Sequence, residues 1–189
     1  SWFDKDSKNK SVTIIRPTVI FGERNRGNVY NLLKQISSGK FLMVGKGENK
    51  KSMAYVVNVV AFIKDRIVKN ELGYNVYNYI DKPDLNMNEL VSLVEKKIGV
   101  IIPKFKIPYF IGFFVALFFD LIASLSNKKF SISSVRVKKF CATTQFDSSR
   151  VENIFEPPYS LEEGLNKTLA HEFINPKEDN VLFYTEWFK

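Results

Sequence analysis

The residues best suited to chemistry are a tyrosine and a lysine in the first quarter of the chain. Tyr30 and Lys34 lie four residues apart, so on a helix they share one side. A lysine ammonium beside a phenol lowers the pKa of the phenol, and the phenolate can then exchange a proton with a substrate hydroxyl. The same spacing arises by chance in helices that contain both residue types, so it identifies no site by itself.

The other chemistry-bearing residues are isolated. Gly45 and Gly47 suggest a dinucleotide-binding loop, but Lys50 stands where the third glycine is needed and a strand is predicted to follow, so we interpret them as a turn. His171 has no Ser or Cys partner in a nucleophile context, and Cys141 is interpreted as a packing residue. With one histidine and one cysteine, no structural zinc or other metal site is predicted.

The composition is that of a folded protein in a reducing compartment. Of the 189 residues, 45% are apolar and 25% are charged, and the single cysteine cannot form an internal disulfide. The formal charge of +8 is concentrated in residues 1–51, which hold 11 basic and 4 acidic residues. Such an excess of positive charge can bind the phosphates of a nucleotide, a nucleic acid or an anionic lipid. Nucleic acid is not expected, because no aromatic platform or known module accompanies the basic residues.

The hydrophobic pattern predicts an α/β fold whose second half is mainly helical. Strands are predicted at 12–15, 41–44, 53–57 and 74–80, with a short extended segment at 105–108. Helices are predicted over 28–37, 58–70, 87–98, 131–140 and 160–173, with a short one from 148. Asn58 is expected to cap the second helix, and Asn86 with Glu89 to form a capping box on the third.

The segment Ile107–Ser126 is unusually apolar, with Asp120 as its single charge. It is long enough to span a bilayer, but a carboxylate at the bilayer centre would cost about 2.5–3.5 kcal/mol. Its phenylalanines surround the predicted helix instead of forming one stripe. This pattern favours a helix buried in the core over one that contacts a membrane surface or a hydrophobic substrate, and a spanning helix is disfavoured most.

Six short motifs follow one another in an order that is specific, although each motif is weak. They are Ile14–Gly22 (IIRPTVIFG), Arg26–Tyr30 (RGNVY), Phe41–Gly47 (FLMVGKG), Lys51–Val56 (KSMAYV), Phe146–Ser149 (FDSS) and Pro158–Leu165 (PYSLEEGL). Together they cover about residues 12–173. In order and spacing they resemble the extended short-chain dehydrogenase/reductases, the NAD-dependent epimerase/dehydratase family that includes nucleotide-sugar 4-epimerases such as UDP-glucose 4-epimerase.

The resemblance implies that this chain is the C-terminal portion of such an enzyme. In the family, the glycine-rich loop and the catalytic Tyr-x-x-x-Lys precede the Arg-Pro strand, so both are expected upstream of Ser1. Tyr30 and Lys34 follow that strand, so they are not expected to be the catalytic pair. The chain 1–189 would supply the last strands of a Rossmann-like domain, from residues 1–30 and about 52–82, plus a mainly helical substrate-binding lobe. It is expected to be inactive alone, and Ser1–Asp6 would end the helix that carries the catalytic pair.

The resemblance also implies roles for residues of this sequence. The residues that would border the nicotinamide end of the cofactor are Pro17, Thr18, Val19 and Phe21. The residues that would bind the substrate nucleotide are Asn28 and Val29 at a helix N-terminus, Leu42, Met43 and Val44 on a strand that reads the base edge, and Lys51 and Arg136 at the diphosphate. Lys51 replaces an arginine, so it is cationic but lacks the bidentate fork.

Two departures weaken the sugar-nucleotide assignment. Val19 stands where many of these enzymes have a substrate-binding asparagine, and Phe140 stands near the place of an acidic residue. With the phenylalanine-rich segment, they leave open a 3β-hydroxysteroid dehydrogenase-like or reductase-like enzyme with an apolar substrate. A non-catalytic module that binds a membrane surface or a nucleotide is the second alternative.

The first hypothesis is therefore an NAD(P)-dependent nucleotide-sugar epimerase or dehydratase. Its expected cofactor is NAD or NADP, and its expected substrate is a UDP-linked sugar. A homodimer and peripheral membrane contact through Ile107–Ser126 are further expectations. The expected location is the cytoplasm, including the inner face of a membrane.

Overall fold

The computed structural model describes residues 9–126, 133–176 and 183–184 and contains both strands and helices. The strands are β1 (Ser11–Pro17), β2 (Val19–Phe21), β3 (Asn25–Arg26), β4 (Met43–Val44), β5 (Lys50–Tyr55), β6 (Gly73–Tyr79), β7 (Asp81–Asn86), β8 (Lys106–Ile107) and β9 (Phe183–Tyr184). The helices are α1 (Asn28–Ser37), α2 (Val56–Lys69), α3 (Met87–Ile98), α4 (Tyr109–Ser126), α5 (Ser134–Cys141), α6 (Ser149–Glu152) and α7 (Leu161–Leu169), and a π-helical turn over Ala170–Ile174 continues α7. The α/β class is confirmed, while the helix end expected at Ser1–Asp6 lies outside the described residues.

Parallel pairing dominates the strands. β1 pairs in parallel with β6 over seven residues, from Ser11 opposite Gly73 to Pro17 opposite Tyr79. β5 pairs in parallel with β2 and antiparallel with β7, and the remaining pairs, β3 with β9 and β4 with β8, are also parallel. Parallel neighbours need crossover connections, and α2 provides one between β1 and β6.

Two clusters of buried side chains form the core. The larger joins α1, α3 and α7 to β4 and β5, and its fully buried members include Leu33, Ile36, Val94 and Leu165. The smaller lies between α2, α6 and β6, where Phe62 packs against the rings of Tyr77, Tyr79 and Phe155 at 5.2–5.5 Å.

The sequence predicts the start of a helix correctly where the capping residue and its partner are three residues apart. Asn86 and Glu89 form the expected capping box on α3, and Ser160 with Glu163 forms a second box on α7. The expectation that Asn58 caps α2 is wrong, because α2 begins at Val56 and Asn58 lies inside it, fully buried. Its amide instead donates to Asp81 at 3.0 Å and to the Tyr159 carbonyl at 2.7 Å.

Asp81 is the buried polar centre of the fold. Its carboxylate accepts hydrogen bonds from the Tyr55 backbone N–H at 2.6 Å, from Asn58 at 3.0 Å and from the Tyr79 hydroxyl at 3.0 Å. Burial raises the pKa of Asp81, and the three donors oppose that shift. The carboxylate thereby fixes the end of β5 and the start of α2 to the corner between β6 and β7.

The apolar helix α4 lies at the surface, so the interpretation of Ile107–Ser126 as a buried core helix is wrong. Phe110, Phe114 and Phe118 are each more than 60% exposed, whereas Ala116 on the opposite side is fully buried. The helix approaches β4 closely at Gly112, where an added Cβ would lie 2.7 Å from Val44 Cγ1. Among the residues that the structure describes, no helix combines the length and the apolarity needed to cross a membrane.

Replacing Asp81 with asparagine is expected to lower the free energy of unfolding by about 1–3 kcal/mol. Oδ1 already accepts from Asn58 and Tyr79, so the new NH2 group would face the Tyr55 N–H, donor against donor. Chemical denaturation of the full chain measures the loss. Glu162→Gln on the exposed side of α7 is the control, with an expected change below about 0.5 kcal/mol. Equal stability of the two variants would contradict the central role of Asp81.

Replacing Gly112 with alanine is expected to destabilise the protein by about 1–3 kcal/mol, because the new methyl group overlaps Val44. Val44→Ala removes that overlap, so the double variant should be more stable than the sum of the two single effects predicts. Thermal or chemical denaturation of the four proteins in the cycle gives the coupling. Additive effects would show that α4 and β4 do not meet at this point.

Candidate functional site

The loop after β4 is held by hydrogen bonds from α3 and β8. The Asn88 backbone N–H donates to the Gly47 carbonyl at 3.1 Å, while the Asn88 amide and Lys106 Nζ both donate to the Lys46 carbonyl. Gly47 has φ of +75°, and a Cβ there would lie 2.5 Å from Asn88 Oδ1. Glycine is therefore required at this position, and the sequence interpretation of the loop as a turn is confirmed.

The N-terminus of α5 is bound by α4. Ser133 Oγ accepts from the Arg136 N–H at 3.3 Å, and Asp120 Oδ2 accepts from the Ser134 N–H at 2.9 Å. These bonds to Ser134 lower the pKa of Asp120. A carboxylate at a helix N-terminus also interacts favourably with the helix dipole. The single charge of the apolar segment thus attaches α5 to α4.

The C-terminus of α5 is bound by residues that lead into β5. Lys51 Nζ donates to the carbonyls of Lys139, at 2.9 Å, and Ala142, and Asn49 Nδ2 donates to the Phe140 carbonyl at 2.8 Å. These are carbonyls that a helix end leaves without partners. Burial lowers the pKa of Lys51. The lysine expected at a diphosphate therefore directs two of its three N–H donors to the backbone of α5.

Cys141 joins the same junction. Its thiol donates to the Val44 carbonyl at 3.4 Å, and burial raises its pKa, although Lys51 opposes that shift. A raised pKa keeps a thiol protonated and weakly nucleophilic at neutral pH. This geometry supports the interpretation of Cys141 as a packing residue.

An open groove of about 520 Å³ lies between the β4 loop, α5 and the first residue of α4. The residues that line it are Val44, Gly45, Lys46, Gly47, Glu48, Asn49, Tyr109, Lys138, Cys141, Ala142 and Thr143. Lys46 and Lys138 are exposed, so with Glu48 the groove carries a net positive charge. A wide, positively charged groove can hold an anionic group such as a diphosphate.

A second open cavity of about 500 Å³ differs in charge. It is lined by Tyr79, Ile80, Lys82 and residues 151–157. Glu152 and Glu156 outnumber Lys82 there, so the cavity is a poor site for a phosphate. The groove beside α5 is therefore the better candidate for an anionic substrate.

The structure brings together three of the predicted substrate residues around α5. Val44 lines the groove, Lys51 supports the end of α5, and Arg136 is half-buried in the first turn of the same helix. Leu42 is 46% exposed beside β4, whereas the side chain of Met43 is buried in the core.

The other two predicted substrate residues lie at the N-terminus of α1. Asn28 is exposed at the first position of the helix, and Val29 packs in the core. The side chains of Val29 and Met43 are thus unavailable to a ligand, which leaves only their backbone for contact.

The predicted cofactor residues lie where β1 passes into β2. Pro17 and Val19 are exposed, and Phe21 is buried against the Tyr55 ring at 5.5 Å. The Thr18 N–H donates to the Tyr79 carbonyl at 3.2 Å. Within the described ranges, Thr18 Oγ1 is one of two buried side-chain oxygens without a hydrogen-bond partner. A buried hydroxyl without a partner fits a site that a polar ligand completes.

The side chain of Tyr30 makes packing contacts with residues outside α1. The Tyr30 ring stacks on Phe173 at 5.3 Å, and the guanidinium of Arg26 lies 5.6 Å from its centre. Lys34 is exposed in the last turn of α1. The tyrosine packs between the π-helical turn after α7 and the loop before α1, which supports the expectation that the pair is not catalytic.

Glu172 is a positioning residue that the sequence analysis did not identify. Its side chain is 3% exposed, and it accepts from the Arg24 N–H at 2.8 Å and forms an ion pair with Arg26 at 3.4 Å. It also lies 3.0 Å from Nδ1 of His171. Glu172 holds Arg24 at a φ of +65° and fixes the loop that precedes α1. No local pattern reveals this, because its two arginine partners are 146 and 148 residues away in the chain.

The chain is similar to two curated sugar epimerases. It is 55% identical over 186 residues to the N-acetyl-alpha-D-glucosaminyl-diphospho-ditrans,octacis-undecaprenol 4-epimerase of Escherichia coli O157:H7, covering 98% of this chain and 56% of the relative. It is 29% identical over 167 residues to the UDP-glucose 4-epimerase of Vibrio cholerae, covering 87% of this chain and 47% of the relative. The chain thus spans about half the length of the curated relatives it matches.

Solved structures agree with these relatives in fold. The UDP-glucuronic acid 4-epimerase of Bacillus cereus in complex with NAD matches with a TM-score of 0.54 and 18% identity, covering 82% of this chain and 42% of that chain. The chain matches no protein-family model. The chain is similar to sugar epimerases over nearly its whole length, and its fold agrees with that similarity. The chain therefore belongs to the extended short-chain dehydrogenase/reductases of the NAD-dependent epimerase/dehydratase family.

Proposed function

We propose that this chain is the substrate-binding part of a 4-epimerase whose sugar substrate is joined to its carrier through a diphosphate. The observation that carries the proposal is the 55% identity over 98% of the chain to an epimerase whose name specifies such a substrate. The sequence-based alternatives, an enzyme for an apolar alcohol and a non-catalytic module, are not favoured by that similarity.

The groove beside α5 is the proposed diphosphate subsite. Lys46 and Lys138 would supply charge-assisted hydrogen bonds to the phosphate oxygens. Lys51 would act mainly by holding the end of α5, and Arg136 would approach the substrate from the first turn of that helix. Asn28 at the exposed start of α1 would contact the substrate from another element.

The carrier is proposed to be a polyprenyl diphosphate. Two observations favour it over UDP: the relative that acts on an undecaprenol-linked sugar is 55% identical, against 29% for the UDP-glucose 4-epimerase, and an exposed apolar helix begins at the groove. A UDP-linked sugar is the second candidate. For UDP, the backbone of Leu42, Met43 and Val44 would read the edge of the base.

The proposed cofactor is NAD or NADP, which accepts a hydride from the sugar and returns it. The residues present fit that role, because the partnerless hydroxyl of Thr18 lies between β1 and β2 where Pro17, Val19 and Phe21 would border the nicotinamide end. The proposed domain organisation assigns residues 1–30 and about 52–82 to the Rossmann-like portion. The catalytic tyrosine and lysine would come from the rest of the complete protein.

Thr18→Val in the complete protein is expected to weaken NAD binding about fivefold, the effect of one lost hydrogen bond. The free energy of unfolding should not fall, because the hydroxyl has no partner to lose within the described structure. Fluorescence titration with NAD and a denaturation curve measure the two effects. Thr13→Val, the same substitution at an exposed position of β1, is the control and should leave NAD affinity unchanged and stability within about 0.5 kcal/mol. Unchanged NAD affinity in Thr18→Val would remove Thr18 from the cofactor site.

Lys138→Ala in the complete protein is expected to raise KM about tenfold or more, with a much smaller effect on kcat, because it removes a charged contact to the diphosphate. The assay follows interconversion of the 4-epimers of N-acetylglucosamine linked to undecaprenyl diphosphate and, separately, to UDP. Lys97→Ala is the matched control, because Lys97 is also an exposed lysine in the last turn of a helix. Turnover of UDP-linked sugar alone would assign UDP as the carrier, and turnover of neither would refute the proposed function.

A homodimer and a location on the cytoplasmic side of a membrane complete the proposal. An enzyme that acts on a polyprenyl-linked sugar must reach a carrier embedded in a bilayer. Peripheral contact through Ile107–Ser126 would meet that need, and the exposure of α4 supports it.

A further inference from the structure

The outer side of α4 presents a continuous apolar face. It consists of Phe110, Ile111, Phe114, Val115, Leu117, Phe118 and Leu121, each between 40% and 66% exposed. At about 100° per residue, these seven positions span an arc of about 160°. We call this arc the apolar face of α4. No polar side chain interrupts it.

This arrangement reverses the usual polarity of a surface helix. A helix on the outside of a globular protein normally turns polar residues to solvent and apolar residues to the core. Here the outward arc holds the large apolar residues, and the opposite side holds Gly112 and Ala116. A contiguous exposed apolar surface of this kind indicates an interaction partner.

The charges around α4 specify the chemistry of that partner. Residues 101–141 contain seven basic residues and one acidic residue, so this segment's net charge of about +6 compares with a formal charge of +8 for the whole chain. The acidic residue, Asp120, is bound to the N-terminus of α5. Lys104 and Lys106 precede the helix, and Lys138 shares the groove with Tyr109, the first residue of α4. The partner must therefore combine an apolar interior with a negatively charged surface.

We propose that the apolar face of α4 lies in the interface of an anionic phospholipid bilayer, with the flanking lysines at the level of the lipid phosphates. An exposed apolar surface can enter the acyl boundary of a bilayer, and basic residues on the neighbouring segments can contact the anionic headgroups. A second copy of this chain fits less well, because lysines such as Lys104 and Lys138 beside each face would repel one another across a symmetric interface.

The orientation has a consequence for the groove. Because Tyr109 both begins α4 and lines the groove, docking of the helix places the groove at the depth of the headgroups. A diphosphate that joins a sugar to a membrane-embedded polyprenol lies at that depth. This consequence rests on the proposed epimerase function, whereas the membrane contact is argued from the exposed face of α4 and the charges beside it.

The test is co-sedimentation of the complete protein with vesicles of phosphatidylcholine, with or without phosphatidylglycerol. The wild type is expected to bind the anionic vesicles more strongly, and high salt should weaken that binding without abolishing it. The double variant Phe114→Glu with Phe118→Glu should lose about tenfold or more of the binding, because two carboxylates would have to enter the interface. The matched control is Ile67→Glu with Val68→Glu, which adds the same charge at positions 71% and 75% exposed on α2, and it should bind like the wild type.

A second measurement does not depend on the charged variants. A tryptophan placed by Phe114→Trp should be quenched by brominated lipid, whereas one placed by Ile67→Trp should not. Absence of wild-type binding to both vesicles, or unchanged binding of the Phe114→Glu, Phe118→Glu variant, would overturn the proposal. So would a wild-type dimer in solution that this variant converts to a monomer. Vesicle binding without epimerase activity would refute the proposed function and leave this inference standing.

Discussion

The rest of the structure depends on the hydrogen bonds that the buried carboxylate of Asp81 accepts. It accepts hydrogen bonds from the first turn of α2, from the end of β5 and from the end of β6, so it fixes three elements at one point. Asn58 extends the network to the carbonyl of Tyr159, which precedes α7. A buried carboxylate with its hydrogen bonds satisfied specifies one arrangement of its donors, since any other leaves polar groups unpaired. The position of β5, and with it that of Lys51, follows from this constraint.

The position of β5 in turn determines the position of α5 beside the groove, because side chains at the start of β5 bind backbone carbonyls of α5. Lys51 and Asn49 satisfy three carbonyls at the end of α5, and Asp120 satisfies an N–H at its beginning. An eight-residue helix is too short to be stable alone. Contacts at both of its ends therefore hold it in place. Lys138 is positioned in the groove as a result of how the ends of α5 are bound.

Features that depend on near neighbours in the chain could be predicted from the sequence. The capping box of Asn86 and Glu89 and the strand at Gly73–Tyr79 were predicted because their patterns span a few residues. The roles of Asn58 and Glu172 could not be, because their partners lie up to 101 and 148 residues away. A cap and a buried hydrogen-bonding asparagine have the same local sequence, and only tertiary contacts distinguish them.

The candidate site was predictable in part from the family resemblance. The resemblance to the family implied that Val44, Lys51 and Arg136 contact one substrate nucleotide, and the structure groups these residues around α5. They could not show that Lys51 is directed to the carbonyls of α5, since that depends on how the helix is seated. Lys46 lies inside the motif Phe41–Gly47 without an implied role, Lys138 lies outside the motifs, and the relevance of both follows from the groove they line.

The exposure of α4 has a physical cause in the small residues of its inner side. Gly112 lets the helix approach Val44 so closely that a methyl group would not fit, and Ala116 is fully buried on the same side. With the small residues on the inner side, Phe110, Phe114 and Phe118 are directed outward, while Phe113 and Phe119 are partly buried. The sequence pattern, apolar all round, is the same for a helix inside the core and for an exposed apolar helix, and the position of the small residues decides which side of α4 faces the protein.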